Sequence, residues 1–257
     1  RRMTVLTLCD FINAALGKVD ADLVIKDAKI VDVNTREVYP YDIAVKKDRI
    51  VLVGDACHLV GHYTSVISAK DLYAVPGFVD AHVHIESSML MPTEFCRVAV
   101  KHGTSTVVWD PHEVVNVVGN EALDIAISET ARLPIHVFLV VPSCVPSAPG
   151  RETSGACLTA KQVSRALKQR NVVGLGEVMD YLGVLSCTPE AIKKIEKARS
   201  MHLIIDGHAP GLTGRELCAY ITSGVRSDHE AATEEEGLER LRLGMWLMIR
   251  ESSTSKD

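Results

Sequence analysis

Aromatic residues are scarce in this 257-residue sequence, at 5% of the total. Aliphatic side chains must therefore fill most of the core, which suits a parallel sheet buried on both faces. The seven cysteines form no C-x-x-C pair, so neither a disulfide framework nor a thiolate zinc ribbon is expected, and a reducing compartment is. No run approaches the ~18–20 apolar residues that span a bilayer. Positive charge is not in excess, with 28 Lys and Arg against 33 Asp and Glu and a net charge of −5. That argues against a nucleic-acid or anionic-membrane partner. Gly174 and Gly176 belong to no G-x-G-x-x-G sequence, which excludes a dinucleotide phosphate loop there. Arg1 and Arg2 precede a semi-apolar stretch, but Asp10 and Asn13 interrupt it without a clear cleavage site, so it reads against a secretion signal. These absences together point to a soluble, cytoplasmic protein.

What is present is a chain with 47% hydrophobic residues, enough for a barrel plus a small satellite domain. Residues 1–20 read as a helical lead-in. Short runs rich in Val and Ile follow at Leu23–Ile25, Lys29–Val33, Tyr41–Val45, Arg49–Val53 and Ser65–Ser68. Turn residues separate them, which predicts a small antiparallel β unit. A boundary is expected near Pro76-Gly77, giving an incomplete β domain over 1–76 and a barrel over 77–257.

Beyond that boundary, apolar runs alternate with helix-length stretches. The strand candidates are Phe78–Ile85, Thr104–Asp110, Ile135–Val141, Val172–Met179, His202–His208, Gly224–Asp228 and Met245–Ile249. This rhythm predicts repeated βα units on a parallel sheet. Thr159 with Gln162, Thr213 with Glu216 and Thr233 with Glu236 have capping-box spacing. Thr188-Pro189 marks a further helix start, and Gly103, Gly224 and Gly244 mark helix stops. Seven β units are counted. A closed (β/α)₈ barrel needs about 250 residues for itself, so the sequence predicts a barrel truncated before strand 8.

The strongest chemical signal is Asp80-Ala81-His82-Val83-His84 at the end of an apolar run. Strand side chains alternate, so His82 and His84 share a face and could hold one divalent ion. Alone, the pair suits structural histidines equally well. Its context favours a metal: Glu177, His208 and His229 each close a later apolar run. In a barrel, functional groups gather at that end of the strands, and a carboxylate there is costly to bury unless paired or metal-bound. Asp110-Pro111-His112-Glu113 follows the second strand, and His112 and Glu113 are candidates for catalysis or substrate contact. Glu86, two residues past His84, is a weaker candidate for substrate binding.

The run Val75–His84 resembles the opening strand of the amidohydrolase superfamily of metal-dependent hydrolases. Residues 84–90 (HIESSML), 110–113 (DPHE), 142–146 (PSCVP), 174–179 (GLGEVM), 206–211 (DGHAPG) and 227–230 (SDHE) resemble the adenine deaminase branch more narrowly. The match runs in order along nearly the whole chain. The resemblance implies an α/β fold: a TIM-like (β/α) barrel with a small N-terminal β-sandwich-like domain. It implies a binuclear manganese or iron site, with zinc as a third option. By position, His82, His84, Glu177, His208 and His229 match the metal ligands, with Glu177 replacing the carboxylated lysine of many relatives. The implied reaction is hydrolysis of adenine to hypoxanthine and ammonia in purine salvage, by a homo-oligomer. The family's aspartate at the end of strand eight, its general base, has no counterpart in the sequence. Two alternatives stay open: an inactive fragment of such an enzyme, or a cyclic amidohydrolase of the dihydroorotase or hydantoinase type. Cyclic amidohydrolases with carboxylated substrates tend to place a cation two residues past the H-x-H, where this chain has Glu86.

Overall fold

A computed structural model describes residues 8–251. The first seven residues of the expected helical lead-in lie outside them; the rest contains helix α1 (Leu8–Ala15). The chain divides into two compact units, with the division between Pro76 and Gly77.

The first unit carries strands β1 (Leu23–Asp32), β2 (Glu37–Lys46), β3 (Arg49–Gly54), β4 (Ser65–Ser68) and β5 (Tyr73–Ala74). The two runs expected at Leu23–Ile25 and Lys29–Val33 are one strand. A register shift between Ile25 and Ala28 separates them, where Asp27 takes a φ of 60° and donates its N–H to Asp42 Oδ1 at 3.0 Å. The sheet is mixed and not antiparallel as the sequence suggested. β1, β2 and β3 pair antiparallel, but β4 and β5 run parallel to β1. The chain leaves β3 and crosses to the far edge of β1 instead of turning back as a hairpin, and such a crossover delivers a parallel strand. Two small apolar clusters pack on this sheet, one around Val24, Ala44 and Leu59, the other around Ala28, Ile30 and Ala69.

The second unit is the barrel. Its strands are β6 (Phe78–Val83), β7 (Thr104–Trp109), β8 (His136–Val141), β9 (Val172–Val178), β10 (Ile204–Gly207), β11 (Ser227–Asp228) and β12 (Trp246–Leu247). β6 to β10 form one parallel sheet in sequential order, and β11 pairs parallel with β12. Arg226 N donates to Ile205 O at 3.1 Å, bridging the segment before β11 to β10. Helices α2 (Pro92–Lys101), α3 (His112–Val118), α4 (Asn120–Glu129), α5 (Ala160–Ala166), α6 (Tyr181–Leu185), α7 (Pro189–Ser200), α8 (Gly214–Thr222) and α9 (Glu234–Arg242) fill the connections. One aliphatic cluster, including Ile85, Leu123, Leu139, Leu175 and Leu217, joins sheet and helices. Each such side chain contributes roughly 1.5–3 kcal/mol of burial.

The local signals resolve differently. Thr159 and Gln162 form the full capping box at α5. Thr233 accepts from Glu236 N at α9, but the glutamate reaches back to Ala232 N instead of Thr233 N. Thr213 makes no side-chain cap; the first N–H of α8, from Gly214, is taken by Glu239 Oε1 at 2.8 Å. Thr188 likewise precedes Pro189 without a side-chain cap. Gly103, Gly224 and Gly244 all have positive φ just past a helix.

Candidate metal centre

β6 ends in Asp80-Ala81-His82-Val83, and the alternation of the strand turns His82 and His84 to the same side. Their Nε2 atoms lie 3.1 Å apart. Opposite them, near the end of β9, stands Glu177, only 1% exposed. Its Oε1 is 2.9 Å from His82 Nε2, 3.3 Å from His84 Nε2 and 2.7 Å from His229 Nε2. Its Oε2 is 3.6 Å from Nδ1 of both His112 and His208. Five imidazoles drawn from four strand ends thus face one buried carboxylate. A β-carbon added at Gly176 would come within 2.2 Å of Asp110 Oδ2, so the glycine lets Asp110 approach β9 closely. There Asp110 accepts the N–H of Glu177 at 3.1 Å.

These contacts do not satisfy the groups that make them. Both Glu177 oxygens, Asp110 Oδ1, and Nδ1 of His112, His208 and His229 are buried without an aligned hydrogen bond. Orphaned buried polar atoms are rare and costly. Here the lone pairs converge, with two three-residue groupings sharing Glu177: His82, His84 and Glu177, and Glu177, His208 and His229. Imidazole nitrogen with carboxylate oxygen suits a divalent transition metal, and the donor set fits such an ion.

Burial alone would lower the pKa of His82, but its close contacts with the Asp206 and Glu177 carboxylates outweigh that and lift it to about 11. The same balance, with Glu177 as the main partner, lifts His84 to about 9. Glu177 is held well below the ordinary carboxylate range, because the surrounding imidazoles overcome its burial. His112 is different: burial pushes it down to about 4. It therefore stays neutral near pH 7, able to donate at one ring nitrogen and accept at the other. Burial, helped by the charge of Glu177, pushes Asp110 up to about 7.

Of the other marked residues, Glu113 accepts the Ser87 hydroxyl at 2.7 Å. Glu86 sits in the 3₁₀ turn Ile85–Ser88. Its carboxylate takes Trp109 Nε1 at 2.7 Å and Val114 N at 3.3 Å, so both oxygens are occupied in bracing the turn against α3. Three contributors escaped the sequence reading. Asp206 Oδ2 lies 2.8 Å from His82 Nδ1, the kind of outer carboxylate that fixes an imidazole tautomer. It follows the apolar run Leu203–Ile205 two residues before His208, so the rule that picked out Glu177 could have found it. Glu230 lies 3.5 Å from both His208 Nδ1 and His229 Nε2 and pairs with Arg250. The fully buried Arg240 pairs with Asp228 and donates to Ala209 O at 2.6 Å, tying the loop that carries His208 to the strand end that carries His229.

The model of the amidohydrolase family matches residues 73–257. The chain belongs to the amidohydrolase family. It is 46% identical over 254 residues to an adenine deaminase of Thermosipho africanus, covering 98% of this chain and 44% of that protein. An adenine deaminase of Archaeoglobus fulgidus is 45% identical, covering 96% of this chain and 42% of its own. The chain thus spans less than half the length of these curated relatives. Among solved structures, this amidohydrolase chain is similar to a triazine hydrolase variant, with a TM-score of 0.60 and 14% identity over 88% of this chain and 64% of that one. It is also similar to the L-hydantoinase of Arthrobacter aurescens, with a TM-score of 0.55 and 16% identity over 88% and 52% of the two chains. At those identities the likeness is one of fold: a barrel whose parallel strands place their C-terminal ends around the imidazole cluster. Among the described residues no helix is long and apolar enough to cross a membrane.

Proposed function

We propose that this chain forms the metal-binding portion of an adenine deaminase, which hydrolyses adenine to hypoxanthine and ammonia in purine salvage. The observation that carries the reading is Glu177, buried and unsatisfied among five imidazoles in a chain 46% identical to a protein named adenine deaminase. His82, His84, Glu177, His208 and His229 would hold two divalent ions, manganese or iron. Such ions lower the pKa of water from 15.7 toward ~7, supplying a hydrolytic nucleophile at neutral pH.

The chain's own residues do the rest. Asp206 holds the Nδ1 hydrogen of His82, leaving Nε2 free to ligate. His112, which burial keeps neutral, hydrogen-bonds a ring nitrogen of the base. Glu113 supports substrate contact from the first turn of α3, and Glu86 contributes by bracing that turn. A developing negative charge on the attacked ring is best stabilised by fixed groups of this kind. The catalytic base is expected from segments that the longer relatives possess, and the working assembly is expected to be a cytoplasmic homo-oligomer.

Ammonia release from adenine tests the reading, using this chain joined to the remaining segments of a close relative. Turnover of adenine that His112→Ala reduces at least about tenfold is the expected result. Hydrolysis of dihydroorotate or hydantoin in its place would move the chain to the cyclic amidohydrolases. No turnover of any of these, with metal still bound, would leave a metal-binding fragment.

A further inference from the structure

A second cavity of about 220 Å³ lies between the loop after β8, the end of β9 and helix α7. None of the imidazoles around Glu177 lines it. Its wall is largely aliphatic, from Val145, Leu158, Leu175, Val178 and Ile195. Into this wall α7 inserts Lys194, only 7% exposed. Among the described residues the Lys194 ammonium has no hydrogen bond and no ion pair. Its stem packs in the wall while the ammonium keeps access to solvent, and burial holds its pKa below the usual lysine value.

Two carboxylates line the same cavity, and each is half committed. Asp180 Oδ1 caps α6 at Gly183 N, 2.9 Å away. Glu190 Oε2 takes the Ala160 N–H at 2.8 Å. Among the described residues the remaining oxygen of each has no hydrogen bond, and Glu190 is exposed at the rim of the cavity. Glu190 and Lys194 are four residues apart on α7 and so share a helix face, yet they do not pair. The hydroxyls nearby are already used: Ser143 donates to the Glu177 carbonyl and Thr159 to Gln162 Oε1. Polar recognition therefore falls to one cation and two anions set in an apolar pocket. A ligand that engages all three carries both signs of charge on a compact apolar body. For scale, an apolar cavity of ~150 Å³ accepts benzene.

We propose that this cavity binds a small aliphatic α-amino acid, with its carboxylate on Lys194, its ammonium on Asp180 and Glu190, and its side chain against the aliphatic wall. None of the metal-binding side chains lines the cavity, so the ligand sits beside them and not among them.

Calorimetric titration of the 257-residue chain with L-leucine, 4-methylpentanoate and 3-methylbutylamine tests this. Leucine should bind, and more tightly than the acid lacking the amine or the amine lacking the acid. Lys194→Met should weaken leucine at least about tenfold, about 1.4 kcal/mol, without weakening 3-methylbutylamine. Ala191→Leu, which fills the cavity and keeps the ammonium, should also weaken leucine. Absence of leucine binding overturns the proposal, as does equal binding by Lys194→Met. Binding of 4-methylpentanoate as tight as leucine overturns the role given to Asp180 and Glu190. If Lys194→Met does not fold, Ala191→Leu decides, and undiminished leucine binding by that variant overturns the site.

Discussion

Each unit buries a carboxylate, and the two are treated in opposite ways. In the first unit, Asp42 is 8% exposed and accepts the N–H groups of Asp27 at 3.0 Å and Ala56 at 3.2 Å. Its negative charge is spread over backbone donors, and nothing about it calls for a ligand. Asp55 and Cys57 lie close enough to make a nominal metal grouping with it, but its own oxygens are already engaged. In the barrel, Glu177 is buried more deeply and has five imidazole neighbours, yet neither of its oxygens has an aligned hydrogen bond. The lesson is that burial of an acid does not mark a site; burial without satisfaction does.

Four measurements would break or sharpen that contrast. The largest effect should come from Arg240→Met. Removing the guanidinium strands Asp228 in the core, and breaking a buried pair from one side costs about 3–5 kcal/mol. Urea unfolding of the metal-loaded chain should show it, together with loss of bound metal as the loops carrying His208 and His229 come apart. A stability loss below about 1 kcal/mol would mean that the pair does not organise the rim.

Metal removal comes next. An ion present at 1,000 times its dissociation constant adds about 4 kcal/mol to the folded state. Chelation should therefore lower the melting temperature by several degrees. The His82→Ala/His84→Ala double variant should bind little manganese or iron and show almost no further drop on chelation. Unchanged metal content in that variant, by elemental analysis, would refute the centre.

A pH titration separates the two acids in the metal-free chain. The folded pKa of Glu177 is depressed. Its contribution to stability is therefore fully present above the unfolded value of ~4.3 and is lost as pH falls through the folded value. Glu177→Gln should flatten the acid limb of the stability curve, and an unaltered limb would show that the imidazoles do not hold this carboxylate. The smallest effect should be that of Asp42→Asn, which keeps one acceptor but loses the charge and should cost about 1–3 kcal/mol. Metal content should stay at the wild-type level; a fall would mean that the first unit governs the centre after all.

How much of this was legible depended on the range of the interaction. The strand positions of the barrel could be read from the alternation of apolar runs with helix-length stretches, because burial on both faces leaves a continuous aliphatic signature. His82 and His84 could be paired from strand alternation alone. The mixed character of the first sheet was hidden, since a run such as Ser65–Ser68 does not reveal which edge it will join. The Thr213 cap failed for a similar reason: Glu239, a distant residue, took the Gly214 N–H that opens the same helix. Asp206 and Glu230 were present in the motifs, but only their contacts with His82, His208 and His229 give them a role.

By itself the sequence determined the elements, the order of the βα units and the residue types at the strand ends, because each depends on the periodicity and chemistry of neighbouring residues. Tertiary structure alone decided that residues as far apart as His82 and His229 meet at one carboxylate 1% exposed. It alone decided that Asp42 would find backbone donors while the side chain of Glu177 would not. Whether a buried charge is satisfied depends on which distant groups the fold brings within about 3 Å of it, and no local pattern in the chain encodes that distance.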